Sequence, residues 1–355
     1  MHRHIFIVAV WALTATGTPA AGTPAGAAFP GEIFRNASLH DLGEPRDLAG
    51  DFRSLASRID GPAWVAYAMA RVPRVFRSRH HGYGAPHCGT YYLEEPRDGS
   101  QFGDDESATF LVLLRLAGGR VGKIRAVSTA CEVDAGGLDV HAFSSVDPGR
   151  SLDLLVAVAE EDGLKRLADG ALLAVAMHDA PGADRILERI ALGELDWHEE
   201  SQAVFWLGAA RGRAGFELLE QMARSSDDDL RHHVAFGLHV SQVPESVQVL
   251  IAMARHDEAR RVRSQALFWL AQKAGERAVQ EIEYAIEEDP DLKVKEYAVF
   301  ALSQLPPDRG VPLLVRHART HPHPGVRKKA MFWLGQSGDE RALELFEEIL
   351  SGGAR

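Results

Sequence analysis

The sequence predicts an α+β chain: a small, mostly antiparallel β region followed by an α–α superhelix of about six helix pairs. Two observations carry this. The first is a block that recurs as Ala203-Val-Phe-Trp-Leu207, Val234-Ala-Phe-Gly-Leu238, Ala266-Leu-Phe-Trp-Leu270, Ala298-Val-Phe-Ala-Leu302 and Ala330-Met-Phe-Trp-Leu334, with closing leucines 31, 32, 32 and 32 residues apart. A fixed period in the thirties marks stacked supersecondary units, none of which can bury its apolar stripe alone. Ala171-Leu-Leu-Ala-Val175 lies one period earlier as a degenerate sixth copy. The second observation is a change of rhythm upstream, where short β-rich runs are bounded by turn residues.

In chain order, residues 1–28 have the layout of a secretory signal peptide. Met-His-Arg-His is a cationic start, Ile5 to Leu13 an apolar core, and a small-residue stretch ends at Ala25-Gly-Ala27-Ala28. Cleavage is expected between Ala21 and Ala28, with export to the periplasm or the medium. The apolar core is too short to span a bilayer, and no later stretch qualifies. No cysteine lies near the cleavage region, so no lipid anchor is expected.

Residues 29–47 read as a polar linker broken by Pro30, Gly31, Gly43 and Pro45. The β region is placed at 48–146. It starts with a short helix over 48–60, built on Leu48, Phe52, Leu55 and Ile59. Strands are expected over 63–69, 89–93, 109–116, 123–131 and 138–143, with Gly118-Gly119 as a hairpin turn. Asp134-Ala-Gly-Gly-Leu-Asp139 reads as a tight turn, because the twelve-residue calcium-loop pattern is missing.

The two cysteines, Cys88 and Cys131, both fall in this region. In an oxidising compartment such a pair points to a disulfide, worth about 3–4 kcal/mol for a loop of roughly 40 residues. A free buried pair and a metal site shared with His80, His81 or His87 are the alternatives. The last lacks a recognisable four-ligand spacing.

The solenoid is placed at 147–350. Asp147-Pro148 opens it as an acidic N-cap with proline in the first turn. Ser151 to Glu161 reads as a lone capping helix, 163–178 and 182–192 as the degenerate pair, and 198–350 as the clean copies. Leu230, Val262, Val294 and Val326 open successive first helices, each followed by a cation: Arg231, Arg263, Lys295 or Arg327. In the last copy Val326, Ala330, Trp333 and Leu334 share one face. Gly335 and Gly338 are expected to stop that helix. Ala342, Leu345, Phe346 and Ile349 then form the stripe of the second helix. Residues 351–355 read as a disordered tail.

The Val-Arg start, the alanine-rich first helix, the Leu-Gly stop and Gly338-Asp-x-x-Ala342 together resemble the HEAT-repeat family over roughly residues 150–350. Cys131-Glu-Val-Asp-Ala-Gly-Gly-Leu138 resembles a segment of exported bacterial members of that family. The resemblance implies a binding scaffold. It also implies that an aspartate in each inter-repeat turn pairs with the cation of the next helix. Asp229 with Arg231, Asp257 with Arg263 and Asp291 with Lys295 are the expected pairs, and Arg327 occupies the same register. Some enzymes share this architecture, and one holds iron through several His-Glu pairs at repeat-spaced positions. Here only His198-Glu199 matches.

With 50 carboxylates against 39 cations the chain carries a net charge of −11. A general nucleic-acid role is therefore excluded, since phosphate binding needs a basic surface. Cations nonetheless gather at first-helix starts (Arg260, Arg261, Arg263; Arg327, Lys328, Lys329), and carboxylates on second helices (Glu281, Glu283, Glu287, Glu288; Glu344, Glu347, Glu348). There is no Gly-x-Ser-x-Gly, His-Glu-x-x-His, phosphate-binding loop or Cys-x-x-Cys pattern. The expectation is a non-catalytic scaffold for a protein or peptide partner, without a cofactor.

Phe205, Phe236, Phe268, Phe300 and Phe332 are the candidate partner residues, because helix geometry turns them away from the core face. They serve either as glue between successive first helices or as an apolar ridge open to a partner. Trp206, Trp269 and Trp333 are expected in the core stripe. The competing expectation is an enzyme or lyase-like assistant, with histidines His80, His81, His87 and His141 gathered where the β region meets the solenoid.

Overall fold

Strand runs that are apolar on both faces demand cover on both faces, and that requirement organises the N-terminal half. A computed structural model of the protein describes residues 28–73, 89–95, 107–162, 165–194, 199–273 and 275–352. After a 3-10 turn at Gly31–Ile33, the elements are β1 (Phe34–Arg35), β2 (Ser38–Gly43), α1 (Leu48–Ala56), β3 (Ala63–Ala70), β4 (Thr90–Tyr92), β5 (Thr109–Ala117), β6 (Arg120–Ser128), β7 (Glu132–Asp134) and β8 (Asp139–Phe143).

The main sheet has five strands in the order β2-β8-β3-β5-β6. Its two longest ladders, β3 with β5 and β5 with β6, are antiparallel. Gly118 and Gly119 join β5 to β6 with φ of 58° and 75°, the doubly left-handed turn that suits a tight hairpin. On the other side β8 runs parallel to both β3 and β2. A second sheet, β1-β7-β4, is wholly parallel. Residues 29–47 are therefore not a linker: they contribute β1 and β2, one strand to each sheet. Their polar sequence reflects the exposed edge that β2 occupies.

The two faces of β3 separate the cores. Trp64, Ala66 and Ala68 pack with Leu111, Leu113, Cys131 and Val133 between the two sheets. Val65, Tyr67 and Met69 pack on the opposite side against α1 and the first solenoid helices. Cys131 is fully buried and disulfide-bonded. Cys88 lies outside the described residues.

The helical half comprises α2 (Pro148–Asp162), then α3 (Lys165–Met177) with α4 (Pro181–Ala191), α5 (Glu200–Ala210) with α6 (Gly212–Met222), and α7 (Asp228–Val240) with α8 (Ser246–His256). It continues with α9 (Arg260–Lys273) and α10 (Glu276–Glu288), α11 (Leu292–Ser303) and α12 (Pro307–Thr320), and α13 (Pro324–Ser337) and α14 (Glu340–Gly352). Among the described residues these are six pairs preceded by one lone helix, as the repeat spacing predicts. Gly335 does not stop α13; the helix runs on to Ser337, and Gly338 ends it at φ 65°. Gly208 likewise lies inside α5. A Cβ there would sit 2.1 Å from the Gly237 carbonyl oxygen, so glycine at both positions lets α5 and α7 meet backbone to backbone.

One apolar core runs without a break from the helix side of the main sheet to Leu345 in α14. The sheet is thus the first layer of the solenoid. Helix α3 lies directly on β6, where a Cβ on Gly170 would come within 2.6 Å of the Ile124 carbonyl oxygen. The end of β3 also bonds to the loop after α3, through Val72 N–H to Met177 O at 3.0 Å and Asp179 N–H to Ala70 O at 3.0 Å. A buried polar group locks the seam. Ser151 Oγ of α2 lies 3.0 Å from Tyr67 Oη of β3 and 2.8 Å from His178 Nε2. The other imidazole nitrogen donates to the Ala174 carbonyl at 2.7 Å. Burial pushes the His178 pKa down to about 4 and raises that of Tyr67, so both stay neutral.

Candidate functional site on the face of the first helices

From α5 onward each first helix buries one stripe and leaves a second, aromatic one beside it. In α13, Val326, Ala330 and Leu334 are buried, whereas Trp333 is half-buried and Phe332 is 52% exposed. The five phenylalanines and three tryptophans form one continuous spine across α5, α7, α9, α11 and α13. Ring centroids are 5.6 Å apart for Phe205–Phe236, 4.8 Å for Phe236–Trp269, 5.8 Å for Phe268–Phe300 and 4.8 Å for Phe300–Trp333. Neighbouring Phe–Trp pairs within α5, α9 and α13 close the remaining links at 4.9, 4.7 and 5.0 Å.

The rings alternate along the spine: repeats carrying Phe-Trp offer two, and the intervening repeats, which carry Phe236-Gly237 or Phe300-Ala301, offer one. Aromatic contacts at these separations are worth about 0.5–1.5 kcal/mol each beyond area burial. The spine is therefore glue between repeats, and its outer surface still faces solvent. The tryptophans belong to this spine and only flank the core, a correction to their expected place in the buried stripe. The Trp269 and Trp333 rings point sideways and reach back to Phe236 and Phe300 of the preceding first helix. Phe332, on the last first helix described, has no following ring to stack on.

Over α9, α11 and α13 the spine forms the floor of a groove of about 740 Å³, with Tyr297, Phe300 and Trp333 at its base. Arg260, Arg261, Lys293 and Lys329 stand around it, with Glu296 the one carboxylate among the lining residues. Arg261 is held by Asp228 at 2.9 Å and by Asp229. Arg260 lies 3.8 Å from Asp291, and Lys293 lies 2.9 Å from Glu296. The Lys329 ammonium sits over the Phe332 and Trp333 rings at 5.6 and 5.9 Å. It has no carboxylate partner among the described residues, which leaves a cation over an aromatic surface in a chain of net charge −11.

The ion pairs between repeats differ from the expected ones. Arg231 pairs with Asp257 at 2.7 Å, and Arg263 with Asp289 at 2.7 Å, each reaching 26 residues forward to the end of the next second helix. Asp257 therefore faces Arg231 and not Arg263. Asp229 faces Arg261. Asp291 caps its own helix by accepting from Lys293 N–H at 2.7 Å. Lys295 donates to the carbonyls of Ile286 (2.9 Å) and Glu287, and Arg327 to those of His321 and Pro322, both at 2.8 Å. Asp257 and Asp289 each lie at the C-terminal end of the following second helix, a 26-residue spacing that the sequence does contain, and each also accepts a backbone N–H two residues on, from Ala259 at 2.9 Å and from Asp291 at 2.8 Å. Upstream, Arg211 does the equivalent work through Asp184 at 2.6 Å and the carbonyls of His178 and Ala180.

His80, His81, His87 and His198 lie outside the described residues, and His141 stands on β8 beside His40 of β2.

Residues 279–354 match a family model for HEAT repeats. No curated protein matches the chain. Among solved structures, the complex of CpcE and CpcF of phycocyanin lyase from Nostoc sp. PCC7120 is 18% identical over 43% of this chain and 99% of that one, with a TM-score of 0.35. Human deoxyhypusine hydroxylase is 18% identical over 48% of this chain and 70% of that one, at 0.29. Kap121p bound to the extreme C-terminus of the protein phosphatase Cdc14p is 14% identical over 58% and 26%, at 0.33. Likeness at this level carries nothing about function. The periodic helix pairs and the family match make the helical half a HEAT-repeat solenoid. No helix among the described residues is long and apolar enough to cross a membrane.

Proposed function

We propose that this is an exported, non-catalytic scaffold that binds an extended segment of a protein partner across the first helices α9, α11 and α13. One observation carries the reading: an aromatic floor ringed by four cations and one carboxylate, on a chain that is acidic overall. Such a groove suits a segment in which acidic residues flank an aromatic or aliphatic anchor. The anchor would stack on Phe300 and Trp333, and the carboxylates would meet Lys329 and Arg260. The cationic, apolar and small-residue order of residues 1–28 and the disulfide-bonded Cys131 support export.

Peptide display against the chain tests this. Acidic segments with an embedded aromatic are expected to be enriched. Their affinity should fall about tenfold in Lys329→Glu and weaken with added salt, because a rim charge acts through screened electrostatics. Selected peptides without acidic bias, or unaffected by the reversal, would contradict the reading.

A further inference from the structure

We propose that His40, Asp139 and His141 form a binding site for a divalent transition metal on the open edge of the main sheet. Strands β2 and β8 run parallel, and their register places His40 beside His141 and Ser38 beside Asp139. Residues two apart on a strand share a face, so Asp139 and His141 point the same way, and the register brings His40 into line with them. The two imidazoles stack with centroids 4.7 Å apart and planes 18° from parallel. His40 Nε2 lies 3.5 Å from Asp139 Oδ1. One donor atom from each residue falls within 4.8 Å of the other two.

The next residue in this row, Val65 of β3, is buried beneath the helices. Cover ends before β2, which leaves His141 half-buried and His40 and Asp139 exposed. Donors around a zinc ion at about 2.1 Å lie roughly 3.0–3.5 Å from one another. The His40 Nε2–Asp139 Oδ1 separation of 3.5 Å is already at that range.

Two imidazoles and one carboxylate with open remaining positions suit Zn²⁺, Ni²⁺ or Cu²⁺; Ca²⁺ and Mg²⁺ take oxygen ligands. The pairing also has a mechanical consequence. Among the described residues β2 is an edge strand bonded on one side only, and an ion bridging His40 to the β8 donors clips it to the sheet. Binding to the folded form alone then raises stability by mass action. The site does not depend on the partner groove, which lies on other elements.

The test is calorimetric titration of the tag-free chain, after chelator treatment, with ZnCl2 and separately with NiCl2, alongside thermal melts. One equivalent is expected to bind and to raise Tm. His40→Ala and His141→Ala should each weaken binding at least ~100-fold, since loss of even an outer partner of a ligand costs about 10–100-fold. Asp139→Asn should weaken it too, and His323→Ala should not. His40 and Asp139 are exposed and His141 is half-buried, and unchanged circular dichroism in each variant separates lost binding from lost folding. Absence of saturable one-equivalent binding overturns the proposal. So does unchanged binding in the His40→Ala/His141→Ala double variant, which would put the metal on other histidines.

Discussion

Two kinds of seam hold this chain together, and they are built differently. Between successive repeats the contact is periodic: an aromatic ring stacks on the ring of the next first helix, and Arg231 and Arg263, each paired with a buried aspartate at the end of its own pair's second helix, donate to the Ser225 and Asp257 carbonyls in the turn from the preceding repeat. Between the sheet and the first repeat the contact is made once. There α3 lies on β6 at Gly170, and Tyr67, Ser151 and His178 share one enclosed polar group. The repeated seam tolerates variation along its length. Where Arg and Asp would fall next, Lys295 and His321 stand instead, and Lys295 caps a helix end through carbonyls. The single seam has no second copy to share its load.

The largest expected effect breaks the repeated seam at its most buried pair. The Arg263 and Asp289 side chains are 10% and 5% exposed and meet in a two-point contact. Arg263→Ala leaves Asp289 buried without its partner and should cost about 3–5 kcal/mol in urea denaturation. Arg327→Ala, which removes only donations to carbonyls, should cost about 1 kcal/mol. Equal losses would show that the paired carboxylate adds nothing.

The single seam responds to pH. His178 titrates at about 4 in the fold and near 6.5 once unfolded, so the folded pKa is the lower one. Its contribution is complete above about pH 6.5 and is lost as pH falls toward 4, at up to ~3 kcal/mol for the full difference. His178→Gln should therefore flatten the drop in stability between pH 7 and pH 4.5. An unchanged pH slope in that variant would separate the histidine from acid unfolding.

The smallest effect sharpens the contrast in packing. Gly170→Ala removes a flexible residue from a helix interior, a gain of up to about 1 kcal/mol. The added methyl meets the backbone carbonyl of Ile124 at 2.6 Å, which cannot swing aside. A net loss of about 1–3 kcal/mol is expected from overpacking, read as a lower urea midpoint. A stabilised variant would mean that α3 and β6 do not touch as described.

The same contrast explains what the sequence made legible. Six helix pairs and the lone α2 follow from a beat of about 32 residues, because each repeat solves one packing problem in the same way. The Phe ladder was visible for that reason, and so were its two readings; the structure supports stacking between repeats with an outer surface left open. The partners of Arg231 and Arg263 are not the nearest aspartates in the sequence: Asp257 and Asp289 lie 26 residues on, at the end of the second helix of the same pair. The role of residues 29–47 was hidden because an exposed edge strand such as β2 carries the polar residues of a linker. The Tyr67–Ser151–His178 group and the His40–His141 pairing depend on contacts across 27 to 101 positions of chain, at no repeated spacing.

Hydroxyl-radical footprinting of the chain with and without a selected acidic–aromatic peptide tests the docking face most directly. Protection is expected at Phe300, Phe332 and Trp333, with Tyr284 of α10 and Leu343 of α14, which are 43% and 60% exposed on second helices, oxidised as before. Protection of Tyr284 and Leu343 with the first-helix rings unchanged would contradict the account.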